Sequence, residues 1–448
     1  MSLNDTIVAC ATPAGYSSIA VIRLSGKQAI EFTKKIFQLG EKVDDVQPHR
    51  SYYGTIVEPD RNKVIDKVLT AFFFAPHSYT GEDVVELSCH GNPLIVENII
   101  NIFVHLGARI AQRGEFTKRA LLNGKIDLIQ AEAVLDTVYA PCDEARTLAI
   151  AQYEGKLSQK MYDCKSKILD LLAVIEASLD FPEEDDVHLD NVQLRHDIEA
   201  IIADIDALLH GAEIGVKIKE GYKVLIMGRA NVGKSTLFNR LLGYDRVIVH
   251  EEPGTTRDYI EEGVQLSGLL IRLIDTAGFF TEAQGTDRIA QERSEQLIEE
   301  ADLIMLMFDG SEPMNERDVF LYDLVKDRTM ILIINKIDLN MHLHESEILS
   351  DSVKLSAKTG QNIDILKQTI KNVLIPQFER KNILLTRQRH IDALEKIKKY
   401  LHNSLQAQTL DTTAYELHAA LEIIGELTGQ VARKDIIDKI FEEFCIGK

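Results

Sequence analysis

Apolar positions in this chain first alternate in short runs, then recur at helical spacing, then return to short runs. Up to about Asn123, β-type runs (Ile19 to Leu24, Val68 to Phe74, Val84 to Cys89) interleave with helical ones, Gln28 to Phe37 and Leu94 to Leu106. That mixture predicts an α+β domain. Between Gly124 and Ile214 the spacing turns helical, with stripes at Leu128, Ala131, Leu135 and Val138, at Ile168, Leu172, Ile175 and Leu179, and at Ile198, Ile201, Ile205 and Leu208. Each stripe makes one apolar face. The acidic segment Asp180-Phe-Pro-Glu-Glu-Asp-Asp186 interrupts them and reads as a solvated loop. Strand-like runs return at Tyr222 to Met227, Leu269 to Ile274 and Met330 to Ile334. Helical stripes then resume at Ile391, Leu394, Ile397, Leu401 and Leu405 and at Leu417, Leu421, Ile424 and Leu427. These late stripes need a partner surface, which the helices before Ile214 can supply. The expected division is therefore 1–123, α+β; 124–214, helical; 215–377, a strand-rich insertion; and 378–448, the second part of the helical domain.

Composition narrows the class. A chain of 448 residues holds about three domains with ample core. Its 45% apolar content is broken up, with no run of eighteen apolar residues, no basic-then-apolar leader and no C-terminal lipidation box, so the expectation is a cytoplasmic protein without a membrane span. Cys10, Cys89, Cys142, Cys164 and Cys445 are scattered without metal-ligand spacing and read as reduced thiols. A net charge of −20 excludes global attraction to nucleic acid. Contact with RNA would need a local patch, such as Arg109, Arg113, Lys118, Arg119 and Lys125, which can equally be a solvated face.

The chemistry is concentrated in the insertion. Gly228-Arg-Ala-Asn-Val-Gly-Lys-Ser-Thr236 has the G-x-x-x-x-G-K-S/T spacing of a phosphate-binding loop between a strand and a helix-compatible run. The glycines let backbone close round phosphate oxygens, Lys234 reaches the β/γ-phosphates, and the Ser235 hydroxyl ligates Mg²⁺. Asn231, Val232, Gly233 and Thr236 complete the contact set. Gly254-Thr-Thr-Arg-Asp258 supplies Thr256 to the Mg²⁺ shell, and His250, Glu251, Glu252, Pro253 and Thr255 lie on the same loop. Asp275-Thr276-Ala277-Gly278 follows a strand, placing Asp275 behind the Mg²⁺ and the Gly278 amide at the γ-phosphate. Asn335-Lys336-Ile-Asp338 specifies guanine, because Asp338 accepts from both N1–H and the exocyclic amine, donors adenine does not offer. Ser356-Ala357-Lys358 would close over the base.

With these motifs go Thr12-Pro-Ala-Gly15, Val21-Ile-Arg-Leu-Ser-Gly26, Ser78-Tyr-Thr-Gly-Glu-Asp-Val-Val-Glu86, Gly114-Glu-Phe-Thr-Lys-Arg-Ala120, Leu122-Asn-Gly-Lys-Ile-Asp127 and the terminus Phe444-Cys-Ile-Gly-Lys448. Along nearly its whole length the chain resembles the tRNA modification GTPases of the MnmE (TrmE) family. The resemblance implies a multidomain α/β protein: an N-terminal domain that binds folate and dimerises, an all-α helical domain, and a Ras-like P-loop GTPase domain inserted into it. It implies a GTP hydrolase that works as a homodimer with a flavoprotein of the MnmG type, in a heterotetramer or larger. Together they would place a carboxymethylaminomethyl-type group on C5 of the tRNA wobble uridine. The one-carbon unit would come from a 5-formyl- or methylene-tetrahydrofolate, with FAD and NADH entering only through the partner.

The resemblance also implies site residues. A potassium ion would be held by Asn231, His250, Glu252 and Thr255 where other GTPases use an arginine finger, although Asn231 can also serve simply to shape its loop. Phe279 occupies the place where Ras-like enzymes have a water-orienting glutamine. The family's glutamate for that task falls on Asp287, twelve positions beyond Asp275, with Glu282 and Glu292 as neighbours able to substitute. Ala230, Tyr16-Ser-Ser18 and Gln112-Arg113 also depart from the family pattern. Folate contacts fall on Arg23, Glu82, Lys125 and Lys448, each also readable as a surface charge or cap. Cys445 would take part in one-carbon chemistry or be a buried, inert thiol. The alternative from another class is a ribosome-assembly or RNP-binding GTPase switch of the Era or EngA type, which shares the nucleotide motifs. A third is a dimerising scaffold that binds nucleotide without turnover.

Overall fold

The computed structural model describes residues 5–39, 46–59, 61, 63–180, 190–243, 261–275, 295–343, 351–375, 385–431 and 434–448. The chain forms two compact units, one from Met1–Leu135 with Leu421–Lys448, the other from Asp136–Ala420.

In the first unit, β1 (Ile7–Cys10), β2 (Ser17–Ser25), α1 (Ala29–Ile36), β3 (Phe37–Leu39), β4 (Arg50–Glu58), β5 (Lys63–Phe73), β6 (Val84–Gly91), α2 (Pro93–His105), β7 (Arg109–Ile110) and α3 (Glu115–Leu122) precede α4 (Leu128–Tyr139). The strands form one sheet in the order β3-β4-β5-β6-β2-β1-β7, antiparallel except where β1 meets β7. Inward positions alternate along each strand, so Ile22, Leu24, Val68, Phe72, Val85 and Leu87 meet Phe32 and Ile36 of α1 and Ile99 and Phe103 of α2. The helical run expected to reach Phe37 stops at Ile36. Phe37 instead has extended backbone and pairs with Ile56 to open β3. Val138, expected on an apolar face, is 47% exposed.

The second unit adds α5 (Asp143–Tyr153), α6 (Lys156–Asp180), α7 (Asn191–Leu209), α8 (Ala212–Glu220), β8 (Tyr222–Met227), α9 (Lys234–Leu242), β9 (Glu261–Leu266), β10 (Leu269–Asp275), β11 (Leu303–Asp309), α10 (Glu316–Val325), β12 (Met330–Asn335), β13 (Val353–Lys354), α11 (Ile363–Leu374) and α12 (Gln388–Gln406). The sheet order is β13-β12-β11-β8-β10-β9, parallel except for the β9/β10 hairpin. β8 is apolar without alternation because both of its faces are covered. Val224 and Ile226 pack with Leu237 and Leu241 of α9 and Leu366 of α11, while Leu225 and Met227 pack with Leu321 and Val325 of α10. Cys142, the residue before α5, and Ala145 of α5 join the first of these cores. α12 lies along α7, as its stripe required, and the contact is closed by a 2.5 Å ion pair between Lys398 and Asp206. α13 (Leu410–Thr428) and α14 (Lys434–Glu442) finish the chain. Phe441 and Phe444 pack on Ala131 and Leu135.

Candidate nucleotide site

The phosphate loop leaves the C-terminal end of β8 and enters α9. Gly228 has φ 151° and Gly233 has φ 100°. A Cβ at Gly228 would lie 2.6 Å from Met307 O, and one at Gly233 would collide with Asn335 Nδ2. Both positions therefore exclude a side chain by conformation and by space. Asn231 is also left-handed at φ 65°, a conformation asparagine tolerates, and it is exposed. α9 begins without a side-chain cap, so its first backbone N–H groups face the loop unclaimed by any capping side chain, the usual arrangement for an anion. Lys234 is 7% exposed and folds back, donating from Nζ to Gly228 O and Arg229 O at 2.9 Å each. Ser235 and Thr236, with Asn239, Arg240, Gly243 and Ala357, line a cavity of about 680 Å³. Val232, in the same loop, is fully buried.

The guanine loop is tied directly to the phosphate loop. Asn335 Nδ2 donates to Val232 O at 2.7 Å, and its Oδ1 accepts from Ala357 N at 2.9 Å, so one side chain joins all three segments. Lys336, at φ 66°, pairs with Asp309. Burial opposes the Asp309 charge, but hydrogen bonds from Lys336 and Ser311 overcome this and hold its pKa below the usual value. Asp338 is exposed, and a hydrogen bond from the Ser356 hydroxyl keeps its carboxyl below the ordinary carboxylate range. Ser356 and Ala357 are buried and Lys358 is exposed. Sequence reasoning passed over Arg240, which donates from α9 to the carbonyls of Ala357 and Lys358 and fixes the base-closing loop. No spacing rule marks it.

β10 runs parallel to β8 with Asp275 opposite Ile226, so the strand delivers this aspartate beside the phosphate loop. Its side chain lies outside the described residues, as do His250, Glu251, Glu252, Pro253, Gly254, Thr255, Thr256, Thr276, Ala277, Gly278 and Asp287.

The first unit gathers the other candidate residues round the loop before β6. Arg23 Nε donates to Glu86 at 2.7 Å and its Nη1 to Gly447 O at 3.1 Å, next to Lys448. Burial, and secondarily Arg23, lower the Lys448 pKa. Lys125 Nζ donates to Pro76 O at 3.0 Å, and its stem lies against Gly81. Glu82 accepts from Ser25 at 2.7 Å and from Arg119. Arg119, 2% exposed, also meets Asp5 at 2.6 Å and Glu115 at 3.1 Å, and Arg109 meets the same two carboxylates. Lys118 pairs with Asp438. Three of the five residues suggested as a basic RNA patch are thus matched by carboxylates, one of them in the interior. These three knit the unit together. Cys445 is exposed, which corrects its alternative as a buried thiol.

Comparison with known proteins adds a decisive observation. Residues 6–125 match the family model described as GTP-binding protein TrmE N-terminus, and residues 128–445 match that of the MnmE helical domain. The chain belongs to the MnmE family of tRNA modification GTPases. The Aquifex aeolicus tRNA modification GTPase MnmE is 38% identical over 100% of both chains, and that of Alkaliphilus metalliredigens 39% over 100% of both. Among solved structures, Aquifex aeolicus Era bound to GDP and aluminium fluoride is 30% identical over 43% of this chain and 69% of its own, with a TM-score of 0.27. An Era-type switch accounts for neither family match outside the nucleotide domain. MnmE membership makes this a P-loop, GTP-binding GTPase, and Ser235 at the start of α9 on the cavity wall suits the Mg²⁺ such enzymes use. No described helix is long and apolar enough to cross a membrane.

Proposed function

We propose that this chain is a potassium-activated GTPase whose hydrolysis drives modification of C5 of the tRNA wobble uridine. It would act as a homodimer in the cytoplasm, with a flavoprotein of the MnmG type and a folate one-carbon unit. The observation that carries the reading is the full-length likeness to tRNA modification GTPases. The domain boundaries at 123/124, 214/215 and 377/378 belong to the same proposal.

In this reading Lys234 leaves the carbonyls of Gly228 and Arg229 for the β/γ-phosphates, so hydrogen bonds to neutral acceptors are exchanged for ion pairs with phosphate oxygens. Ser235 and Thr256 would hold Mg²⁺, which supplies charge neutralisation at the phosphates. Asn231, His250, Glu252 and Thr255 would hold K⁺. The exposed, left-handed Asn231 suits such a role, and the other three lie outside the described residues. Asp287 would orient the attacking water. In the first unit, Arg23, Lys125 and Lys448 are cations on neighbouring elements, suited to the glutamate tail of a folate. Glu82 is already committed to Arg119 and Ser25. The exposed Cys445 would be available to one-carbon chemistry.

The test is GTP hydrolysis at equal ionic strength in potassium and in sodium salts, with saturating Mg²⁺. Potassium should accelerate turnover strongly, and Asn231→Ala should remove the difference. Equal rates for the wild-type chain would contradict potassium activation.

A further inference from the structure

Arg229, second in the phosphate loop, is absent from the cavity wall, and its side chain is only 17% exposed. Its guanidinium reaches instead to the connection between β11 and α10. Nη2 lies 2.5 Å from Glu312 Oε2, and Nε lies 3.4 Å from Asp318 Oδ2. Asp318, 3% exposed, also closes the capping box of α10: its Oδ2 accepts from Asn315 N at 3.2 Å, and its own N–H donates to Asn315 Oδ1 at 3.0 Å. The guanine loop uses the same connection. Lys336 pairs with Asp309 at its start, and Gly310 N donates to Asn335 O at 2.8 Å. Each nucleotide-binding loop therefore sets one cation into the stretch from Asp309 to Asp318.

The phosphate loop needs such a brace. It carries left-handed or glycine-only φ values at Gly228, Asn231 and Gly233, a conformation that persists only when the surroundings over-determine it. Its amides bind phosphate well only if they are aligned before the ligand arrives. The bond from Asn335 to Val232 fixes the loop's far end. At the near end the side chain of Arg229 makes the corresponding contact through its hydrogen bond to Glu312, with Asp318 paired beside Nε by charge and not by a hydrogen bond, and the guanidinium stays charged at any working pH.

We infer that Arg229 is a positioning residue for nucleotide binding: through Glu312 and Asp318 it holds the phosphate loop against the first turn of α10 and so sets affinity for GTP and GDP. The inference rests on the reading of residues 228–236 as the phosphate site.

The experiment measures binding of a fluorescent GDP analogue and steady-state GTP hydrolysis by the full chain and its variants. Arg229→Met keeps the aliphatic stem and should raise Kd and KM about tenfold, within the ~10²-fold that a misplacement of ~1 Å can cost. The turnover rate at saturation should change less than affinity. Arg229→Lys should recover part of the loss. Glu312→Gln, at a side chain 56% exposed and outside the α10 cap, should weaken binding by itself and add little to Arg229→Met. Should Arg229→Met fail to fold, Glu312→Gln and Arg229→Lys decide by the same affinity readout. Wild-type affinity in Arg229→Met, fully additive losses, or a smaller active fraction with unchanged Kd would overturn the proposal. Lys234→Ala separates the two claims. If it binds like wild type, the phosphate-site reading fails; if it alone loses binding, only the role of Arg229 does.

Discussion

Asp338 stands exposed in the loop after β12, where a hydrogen bond from Ser356 favours its carboxylate form and lowers its pKa. Asp338→Asn should move preference from guanine toward xanthine nucleotides, because the amide can donate to the base oxygen where the carboxylate accepted from the amine. Competition binding with XTP against GTP checks it, and unchanged GTP affinity with no XTP binding would refute the assignment. The thiols separate as sharply. Burial pushes Cys89 up to about 11 and Cys164 up to about 12, and raises Cys142 as well, whereas Cys445 is exposed. A maleimide at neutral pH should label Cys445 of the native chain long before Cys89, Cys142 or Cys164, read by peptide mass spectrometry. At this scale the sequence was legible where spacing encodes chemistry, as at Gly228, Lys234 and Asp338. It was illegible where a partner lies far along the chain: Arg119 looks like a surface cation until Asp5, Glu82 and Glu115 are seen round it.

Helix α3 shows how one element collects such distant constraints. Gly114 precedes it at φ 63°, and a Cβ there would fall 2.7 Å from Phe441 Cδ1 and 2.9 Å from Phe444 Cβ, so the glycine exists to admit the C-terminal segment. The tail then adds hydrogen bonds from Gly114 N to Cys445 O and from Phe116 N to Lys448 O. Arg119 on the same helix meets its carboxylates with its side chain 3% exposed. Arg119→Met should destabilise the first unit by about 3 kcal/mol, since removing one member leaves buried charge uncompensated. Chemical denaturation measures this. The network also sets a pH dependence. Burial raises the pKa values of Asp5 and Glu115, but hydrogen bonds from Arg109, Arg119 and, for Glu115, the Gln112 N–H bring both below their usual values. Their contribution is therefore complete above the ordinary carboxylate pKa and is lost as pH falls through the lowered folded values. Arg119→Met should flatten that acid limb. The period-2 and helical patterns gave α2, β2 and β6 close to their observed limits, whereas β5 starts at Lys63, well before the run from Val68 that predicted it, and the stripe from Ile198 marked only the later part of α7. β1 and β4 carry too little alternation to stand out, and the end of α1 depended on Phe37 pairing with Ile56.

For the whole molecule, the late helical stripes asked for a surface earlier in the chain, and α12 finds it on α7. The nucleotide-binding sheet is thereby flanked in sequence by helices that touch each other. α5 adds a second link, because Glu144 N donates to Gly268 O in the β9/β10 turn, and Lys371 joins Glu144 to Ser267 O. β10 ends on Asp275, so the hairpin connects the helical part to the edge of the nucleotide site. In the proposed reading that continuity would give hydrolysis a mechanical route into the helices of the second unit. The central claim is that this route serves modification of the wobble uridine. The direct measurement is nucleoside mass analysis of tRNA from cells lacking this chain, complemented with the wild type or with Lys234→Ala. The C5-modified uridine should disappear with the chain, return with the wild type and stay absent with Lys234→Ala. Undiminished modification in cells without the chain would contradict the account.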